Sequence, residues 1–100
     1  MPAEMEKREG LYYEIKSATD HRRVDTGYSR FTDAVGFLID WAKYREQHME
    51  SRVEKIIIVR VHWQKEFDDS GMFLHEEITR KTVATMENCE LTILDEEEML

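Results

Sequence analysis

The segment from Lys55 to Gln64 constrains the fold most, because it is the strongest strand pattern in the chain. Its side chains alternate between two faces, and its branched apolar residues favour the pleated surface of a sheet. One face has Ile57, Val59, Val61 and Trp63, and the other has Ile56, Ile58, Arg60, His62 and Gln64. A turn-rich segment at residues 66–71 follows, and then a second strand pattern from Met72 to about Arg80. Two strand patterns joined by turn residues predict an antiparallel hairpin.

A symmetric register for this hairpin pairs side chains of like character across the two strands. It places Trp63 opposite Leu74 on one face and His62 opposite His75 on the other. Two facing imidazoles could bind a metal, but a site needs a third or fourth ligand. We therefore predict a surface histidine pair and no metal site.

A helix is predicted from Thr32, as the N-terminal cap, to about Glu50. One apolar face consists of Val35, Leu38, Ile39, Ala42 and Met49. A second stripe consists of Phe37, Trp41, Tyr44 and His48. Packing on one sheet face normally needs an apolar stripe of roughly 100°, so this aromatic stripe exceeds the simplest requirement. Phe37, Trp41 and Tyr44 therefore either border the core or contact a partner.

Three further strand patterns complete the fold. They are Leu11 to Lys16, a short strand from Arg22 to Asp25, and a last hairpin formed by Thr82 to Met86 and Cys89 to Leu94. In that hairpin Met86 pairs with Cys89 and Ala84 pairs with Leu91. A helix over residues 76–88 is the competing interpretation. The predicted class is α+β: a two-layer domain in which one long helix packs on an antiparallel sheet of four or five strands, in a ββαββ-like order.

The charge of the chain is uneven along its length. The 100 residues carry a formal net charge of -8, and residues 55–100 contribute five basic and eleven acidic residues, or -6. A chain of this length makes one domain, which we assign to residues 10–94. We expect residues 1–9 to be a flexible N-terminus and residues 95–100 to be a mobile acidic tail.

The search for catalytic chemistry yields no supported site. The four glycines are scattered and form no phosphate loop, and the serines lie in no nucleophile-elbow context. Asp68 and Asp69 belong to a turn rather than to a calcium loop. Cys89 is a lone cysteine without a basic neighbour to activate it. We predict a non-enzymatic protein with no cofactor, no membrane span and a cytoplasmic location.

A small basic and aromatic region favours nucleic acid as one ligand. Its members are Arg22, Arg23 and Arg30, together with Tyr12 and Tyr28. Tyrosines within a basic patch can stack on single-stranded bases. The region is small, however, and an acidic surface elsewhere would repel phosphate.

The acidic second half favours a protein partner with a basic surface. The predicted contact carboxylates are Asp68, Asp69, Glu76, Glu77, Glu87 and Glu90. The predicted anchors are the aromatic residues Phe37, Trp41 and Tyr44. In this hypothesis the protein is an acidic inhibitor or decoy that occupies the basic groove of a nucleic-acid-handling protein.

In size, acidity and element order, the chain resembles small phage-encoded inhibitors of bacterial defence, notably anti-CRISPR proteins. It also resembles the immunity proteins that neutralise nuclease toxins. The resemblance covers the predicted helix and the meander from Lys55 to Leu94 and rests on no sequence motif, so it assigns a role to no residue. It implies a stoichiometric inhibitor. A homodimer formed through the aromatic helix stripe is a further hypothesis.

Overall fold

The computed structural model describes residues 6–19, 21–47, 55–87 and 90–99. Along the chain it contains β1 (Glu6–Ser17), β2 (Arg23–Tyr28), α1 (Phe31–Gln47), β3 (Ile56–Phe67), β4 (Phe73–Glu87), β5 (Glu90–Ile93) and a 3₁₀ helix (Glu96–Met99). The strands form one antiparallel sheet in the order β2-β1-β3-β4-β5. The predicted α+β class is confirmed, with the order ββαβββ instead of ββαββ.

The helix packs on one face of the sheet, which we name the helix-side face. Its buried residues Phe31, Ala34, Leu38 and Ala42 join a core cluster with Ile15, Ile58 and Met86 of the sheet. The opposite face, named the far face, holds a smaller cluster of Ile57, Val59 and Val61. The alternation predicted for the Lys55–Gln64 segment therefore assigns both faces correctly.

The three central strands extend well beyond the helix. At about 3.3 Å per residue, the 12 residues of β3 span roughly 40 Å, whereas the 17 residues of α1 span roughly 26 Å. The radius of gyration is 17.5 Å, against about 13 Å for a compact chain of 100 residues. We name the uncovered part of the sheet, residues 6–11 and 62–79, the arm, and the helix-covered part the base.

Several predicted boundaries need correction. The helix begins at Phe31, so Thr32 lies in its first turn and is not the cap; residues 48–50 lie outside the described residues. β1 begins at Glu6, so residues 6–9 are strand rather than a flexible terminus. Residues 76–87 are strand, so the competing helix over 76–88 is wrong there.

The predicted hairpin register is also wrong, by four residues. Trp63 lies opposite Ile78 instead of Leu74, and His62 lies opposite Thr79 instead of His75. Three residues of the shift arise because the turn follows Phe67, and one arises from an irregularity next to Phe67. For residues 75–80 the shift is even, so these side chains keep their predicted face. Phe73 lies opposite Phe67, a shift of three residues, so it moves to the far face.

The last hairpin is shifted by two residues. Met86 lies opposite Leu91, whereas the sequence predicted Cys89, which lies outside the described residues. Ala84 lies opposite Ile93 and not, as predicted, opposite Leu91. This shift is even as well, so Ala84 and Met86 still point into the core.

Candidate protein-interaction surface

The arm is the candidate functional surface because it concentrates exposed apolar side chains. Of the eight large apolar residues exposed in the described part of the chain, five lie on the arm. They are Leu11, Met72, Phe73, Leu74 and Ile78. Met72, Phe73 and Leu74 adjoin one another at the tip, and an exposed apolar patch of this kind marks interaction sites on soluble proteins.

A fixed turn presents the apolar residues at the tip of the arm. The Asp68 carboxylate accepts hydrogen bonds from the Ser70 hydroxyl (2.7 Å) and from the backbone N–H groups of Ser70 (3.0 Å) and Met72 (2.7 Å). These bonds, the one from the hydroxyl foremost, hold the pKa of Asp68 below its usual value. Gly71 adopts a φ of 84°, which favours glycine. The turn interpretation of residues 68–71 is therefore confirmed.

The two faces of the arm differ in charge. Pairing places Glu9, Glu66 and Glu77 on the helix-side face. Where the arm joins the base, Glu97 of the 3₁₀ helix lies near the cations Arg60 and Lys81. Lys7 offsets one of these carboxylates, lying 3.7 Å from Glu66. The helix-side face of the arm is therefore acidic.

The far face of the arm combines cations with aromatic rings. The guanidinium carbon of Arg8 lies 5.1 Å from the ring centroid of Phe67, and Lys65 Nζ lies 5.3 Å from that of Trp63. Phe67 in turn meets Phe73 edge to face, with ring centroids 6.0 Å apart. Such contacts hold side chains in place on a surface without a core beneath it.

A cleft of about 530 Å³ opens where the arm joins the base on the helix-side face. Its lining consists of Leu11, Tyr13, Arg60, His62, Thr79, Lys81, Glu97 and Glu98. Tyr13 donates its hydroxyl to Glu98, which also accepts from Arg60. Burial, followed by that bond, raises the pKa of the Tyr13 hydroxyl, so it stays protonated and is a poor base. The bond to Glu98 likewise raises the pKa of Arg60.

Asp95 anchors the C-terminal residues to the sheet. It is 8% exposed, lies 2.9 Å from Lys81 Nζ and 3.4 Å from Arg60, and accepts a bond from the Glu97 backbone N–H at 3.1 Å. The Lys81 bond, above all, lowers the pKa of Asp95. The mobile tail expected at residues 95–100 is therefore corrected over 95–99, because Arg60 and Lys81 on the sheet bind its carboxylates.

A second charged group, on the far face of the base, centres on Glu14. This residue is 1% exposed. The Tyr12 hydroxyl donates to Glu14 Oε1 at 3.3 Å, Lys16 Nζ lies 3.1 Å from Oε2, and an Arg23 nitrogen lies 3.6 Å from Oε1. A buried carboxylate requires such partners. Lys16 and Arg23 therefore neutralise the buried Glu14 carboxylate within the protein.

The predicted contact carboxylates lie in three separate pairs. Asp68 and Asp69 are in the tip turn, and Glu76 and Glu77 are in the middle of β4. Glu87 and Glu90 face each other across the β4–β5 hairpin. At about 3.3 Å per residue, the last two pairs are roughly 30 Å apart. The six carboxylates therefore do not form one surface, and even Glu76 and Glu77 are divided between the two faces.

The predicted aromatic anchors are divided between core and surface. Phe37 packs on the core and against Tyr28, with ring centroids 5.9 Å apart, and Trp41 packs on the same core. Tyr44 is 55% exposed. The interpretation of the stripe as a border of the core fits two of these rings. A partner or second copy on this stripe stays a prediction.

The predicted nucleic-acid residues Arg22, Arg23, Arg30, Tyr12 and Tyr28 are spread over both faces. Arg23 and Tyr12 contact Glu14 on the far face. Tyr28 lies on the helix side and donates to Asp25; burial and then this bond raise its pKa to about 12. These five residues therefore form no single patch.

Neither a metal site nor a membrane helix is found within the described ranges. No group of three or more His, Cys, Asp or Glu there could hold a metal ion. No helix there is long and apolar enough to cross a membrane. Searches against protein-family models, curated proteins and solved structures found no match.

Sequence reasoning missed the tip of the arm. Met72, Phe73 and Leu74 are three consecutive apolar residues directly after a turn. That arrangement breaks the alternation expected of a half-buried strand and could have indicated exposure.

Proposed function

We propose that the protein is a non-enzymatic binding protein of the inhibitor type, which docks on a partner protein through the tip of its arm. The observation that carries this proposal is the exposure of Met72, Phe73 and Leu74, which are 66%, 53% and 49% accessible. Burying such surface in a complex contributes about 25 cal/mol per Å² before the costs of association. A fixed turn lowers those costs, because the anchors are ordered before binding.

The charge of the arm favours a basic partner. Carboxylates line its helix-side face, and the whole chain carries -8. Complementary charge speeds encounter and disfavours acidic partners. Basic grooves are typical of proteins that handle nucleic acids. Inhibition of a phage-defence complex and neutralisation of a nuclease toxin, in the cytoplasm, are the two forms of this proposal.

Capture from the native host, followed by titration of the purified partner, tests the proposal. The Met72→Ser/Phe73→Ser/Leu74→Ser variant should weaken binding by about thirtyfold or more, as expected when hot-spot anchors are removed. Leu94→Ser is the matched control, because Leu94 is 55% exposed but lies beyond β5, away from the arm. Undiminished binding by the tip variant, or equal loss in the control, would contradict docking through the tip.

A single-stranded nucleic acid is the second candidate ligand, and the cation–aromatic contacts on the far face favour it. Trp63, Phe67 and Phe73 could stack on bases while Arg8 and Lys65 meet phosphates. Fluorescence anisotropy with labelled single- and double-stranded oligonucleotides at low salt separates the two functions. Loss of binding in Trp63→Leu supports the far face, and loss in Arg22→Ala/Arg23→Ala supports the region predicted from sequence. Absence of binding removes this candidate.

A further inference from the structure

In the part of the chain that the structure describes, the outer edge of β4 has no partner strand over much of its length. Within the described ranges, β5 pairs with β4 only from Ala84 to Glu87. Residues 73–82 are all exposed. Their outward N–H and C=O groups form a template for another strand.

The side chains on this edge restrict which strand can bind. From Glu76 to Lys81 the sequence is two acids, Ile78, Thr79 and two bases. Two copies of one strand pair antiparallel about a two-fold axis, so the residue on the axis faces itself and equidistant residues face each other. Each register can therefore be judged from the sequence of this segment alone.

Most registers place like charges together. An axis at Glu76, Glu77 or Arg80 sets that residue against its own copy. An axis at Ile78 instead pairs the two isoleucines, sets Glu76 opposite Arg80 twice, and sets Glu77 opposite Thr79. Opposite charges across a strand pair stabilise it and like charges destabilise it, so the Ile78 register is preferred.

An axis at Thr79 is the nearest competitor, because it sets Glu77 opposite Lys81 twice, but two observations disfavour it. It sets Ile78, which is 45% exposed, opposite Arg80 instead of burying it against a second isoleucine. It also extends the pairing to Val83, whose carbonyl already accepts the backbone N–H groups of Leu94 (2.9 Å) and Asp95 (3.3 Å). When both end before Val83, the Ile78 register pairs residues 74–82, whereas the Thr79 register pairs only residues 76–82, two fewer on each copy.

We propose that two copies of this chain join along the outer edges of β4, with the two-fold axis at Ile78, into one continuous ten-stranded sheet. The charges on the edge then select the pairing register, because they destabilise most other registers and stabilise this one. The pairing segment, residues 74–82, includes the tip anchor Leu74 but leaves Met72 and Phe73 outside the pairing. Arg80→Glu changes the edge without changing a tip anchor, so it tests the dimer separately from docking through the tip.

Disulfide trapping tests the register. In a Cys89→Ser background, Ile78→Cys should form a covalent dimer on mild oxidation, because residues directly opposite on paired strands bring their Cβ atoms within disulfide range. Thr79→Cys and Glu77→Cys are the matched controls and should remain monomers, since each is displaced from its own copy along the strand. Preferential trapping through Thr79 or Glu77 would overturn the register.

Sedimentation of the full chain over a range of concentrations tests the association itself. The wild type should approach twice 12.0 kDa, and Arg80→Glu should raise the dimer dissociation constant about tenfold or more, because both symmetric ion pairs become repulsive. Glu76→Arg/Arg80→Glu should restore it, whereas the control Glu87→Arg, outside the segment, should change nothing. Glu76 and Arg80 are both exposed, so circular dichroism should show that the variants at these two positions are folded. A monomer at every concentration, or a dimer indifferent to Arg80→Glu, overturns the proposal.

Discussion

The strands β1, β3 and β4 run through both the base and the arm, yet their side chains are buried mainly in the base. In the base, Ile15, Ile58 and Ala84 are fully buried on adjacent strands under the helix. On the arm, every residue of β4 from 73 to 79 is exposed. The difference indicates that the base supplies most of the stability of the protein and leaves the arm as the candidate contact surface.

The arm nevertheless has its own supports. β1, β3 and β4 pair along its whole length. The Lys7–Glu66 ion pair and the Arg8–Phe67 contact add cross-strand interactions, each worth about 0.2–1 kcal/mol. These weak interactions keep the arm ordered without a core beneath it. Their free energies are far smaller than those from side-chain burial in the base.

The largest expected difference between the two regions is in the stability that a leucine-to-alanine substitution removes. Leu38→Ala should lower the free energy of unfolding by about 3–4 kcal/mol, because Leu38 is fully buried and its loss leaves a cavity. Leu74→Ala on the arm, where Leu74 is 49% exposed, should cost less than about 1 kcal/mol. Urea unfolding of both variants measures the contrast. Equal losses would mean that the arm has a core of its own.

The next effect concerns a carboxylate in each region. Glu14→Gln should destabilise the protein by about 2 kcal/mol, because it leaves the ammonium of Lys16, only 19% exposed, beside a neutral amide. Glu77→Gln changes an exposed carboxylate on the arm and should be nearly neutral. Thermal unfolding at neutral pH compares them. A neutral Glu14→Gln would show that Lys16 finds solvent instead.

Replacing one glycine by alanine in each region should give smaller changes in stability, of opposite sign. A Cβ on Gly10 would lie 2.5 Å from the Trp63 indole, so Gly10→Ala should displace the ring and cost about 1 kcal/mol. Gly36 lies inside α1 with open space around it, so Gly36→Ala should stabilise by about 0.5–1 kcal/mol. Unfolding curves and Trp63 emission in a Trp41→Phe background report both changes. An undisturbed emission spectrum in Gly10→Ala would place the indole elsewhere.

The smallest effect concerns the pH dependence at the junction of base and arm. Because the folded-state pKa of Asp95 lies below its usual value of 3.8, the carboxylate stabilises the fold above that value. The contribution is lost as the pH falls through the folded-state pKa. Asp95→Asn should therefore lower the melting temperature at pH 7 and converge with the wild type in acid. A pH-independent difference would assign the effect to packing alone.

Alternation and helical spacing predicted much of the base. The Lys55–Gln64 pattern located β3 and both of its faces, and the 3.6-residue period located most of α1. The register escaped prediction because Phe67 extends the strand past the predicted turn, and irregularities beside Phe67 and Ile58 shift the pairing. Sequence spacing carries no signal for such local insertions.

The candidate surface was less accessible to sequence reasoning. The prediction relied on the charge of residues 68–90 and on the aromatic stripe of the helix, but exposure depends on how far α1 reaches along the sheet. Strand lengths and the length of α1 decide this together, and the predicted strands were too short to leave an arm. The fold of Asp95 and Glu98 onto Arg60 was also hidden, because their partners are distant in sequence.

The position of β3 between β1 and β4 also sets an order of events in folding. β3 and β4 meet across a short turn, with Phe67 opposite Phe73. β1 reaches the other edge of β3 only by pairing residues up to 61 positions apart, Glu6 with Phe67. Local pairing forms faster than distant pairing, so the hairpin should form early and β1 should join late. Until then the central strand has one open edge, and a nascent chain is most prone to aggregate in that interval.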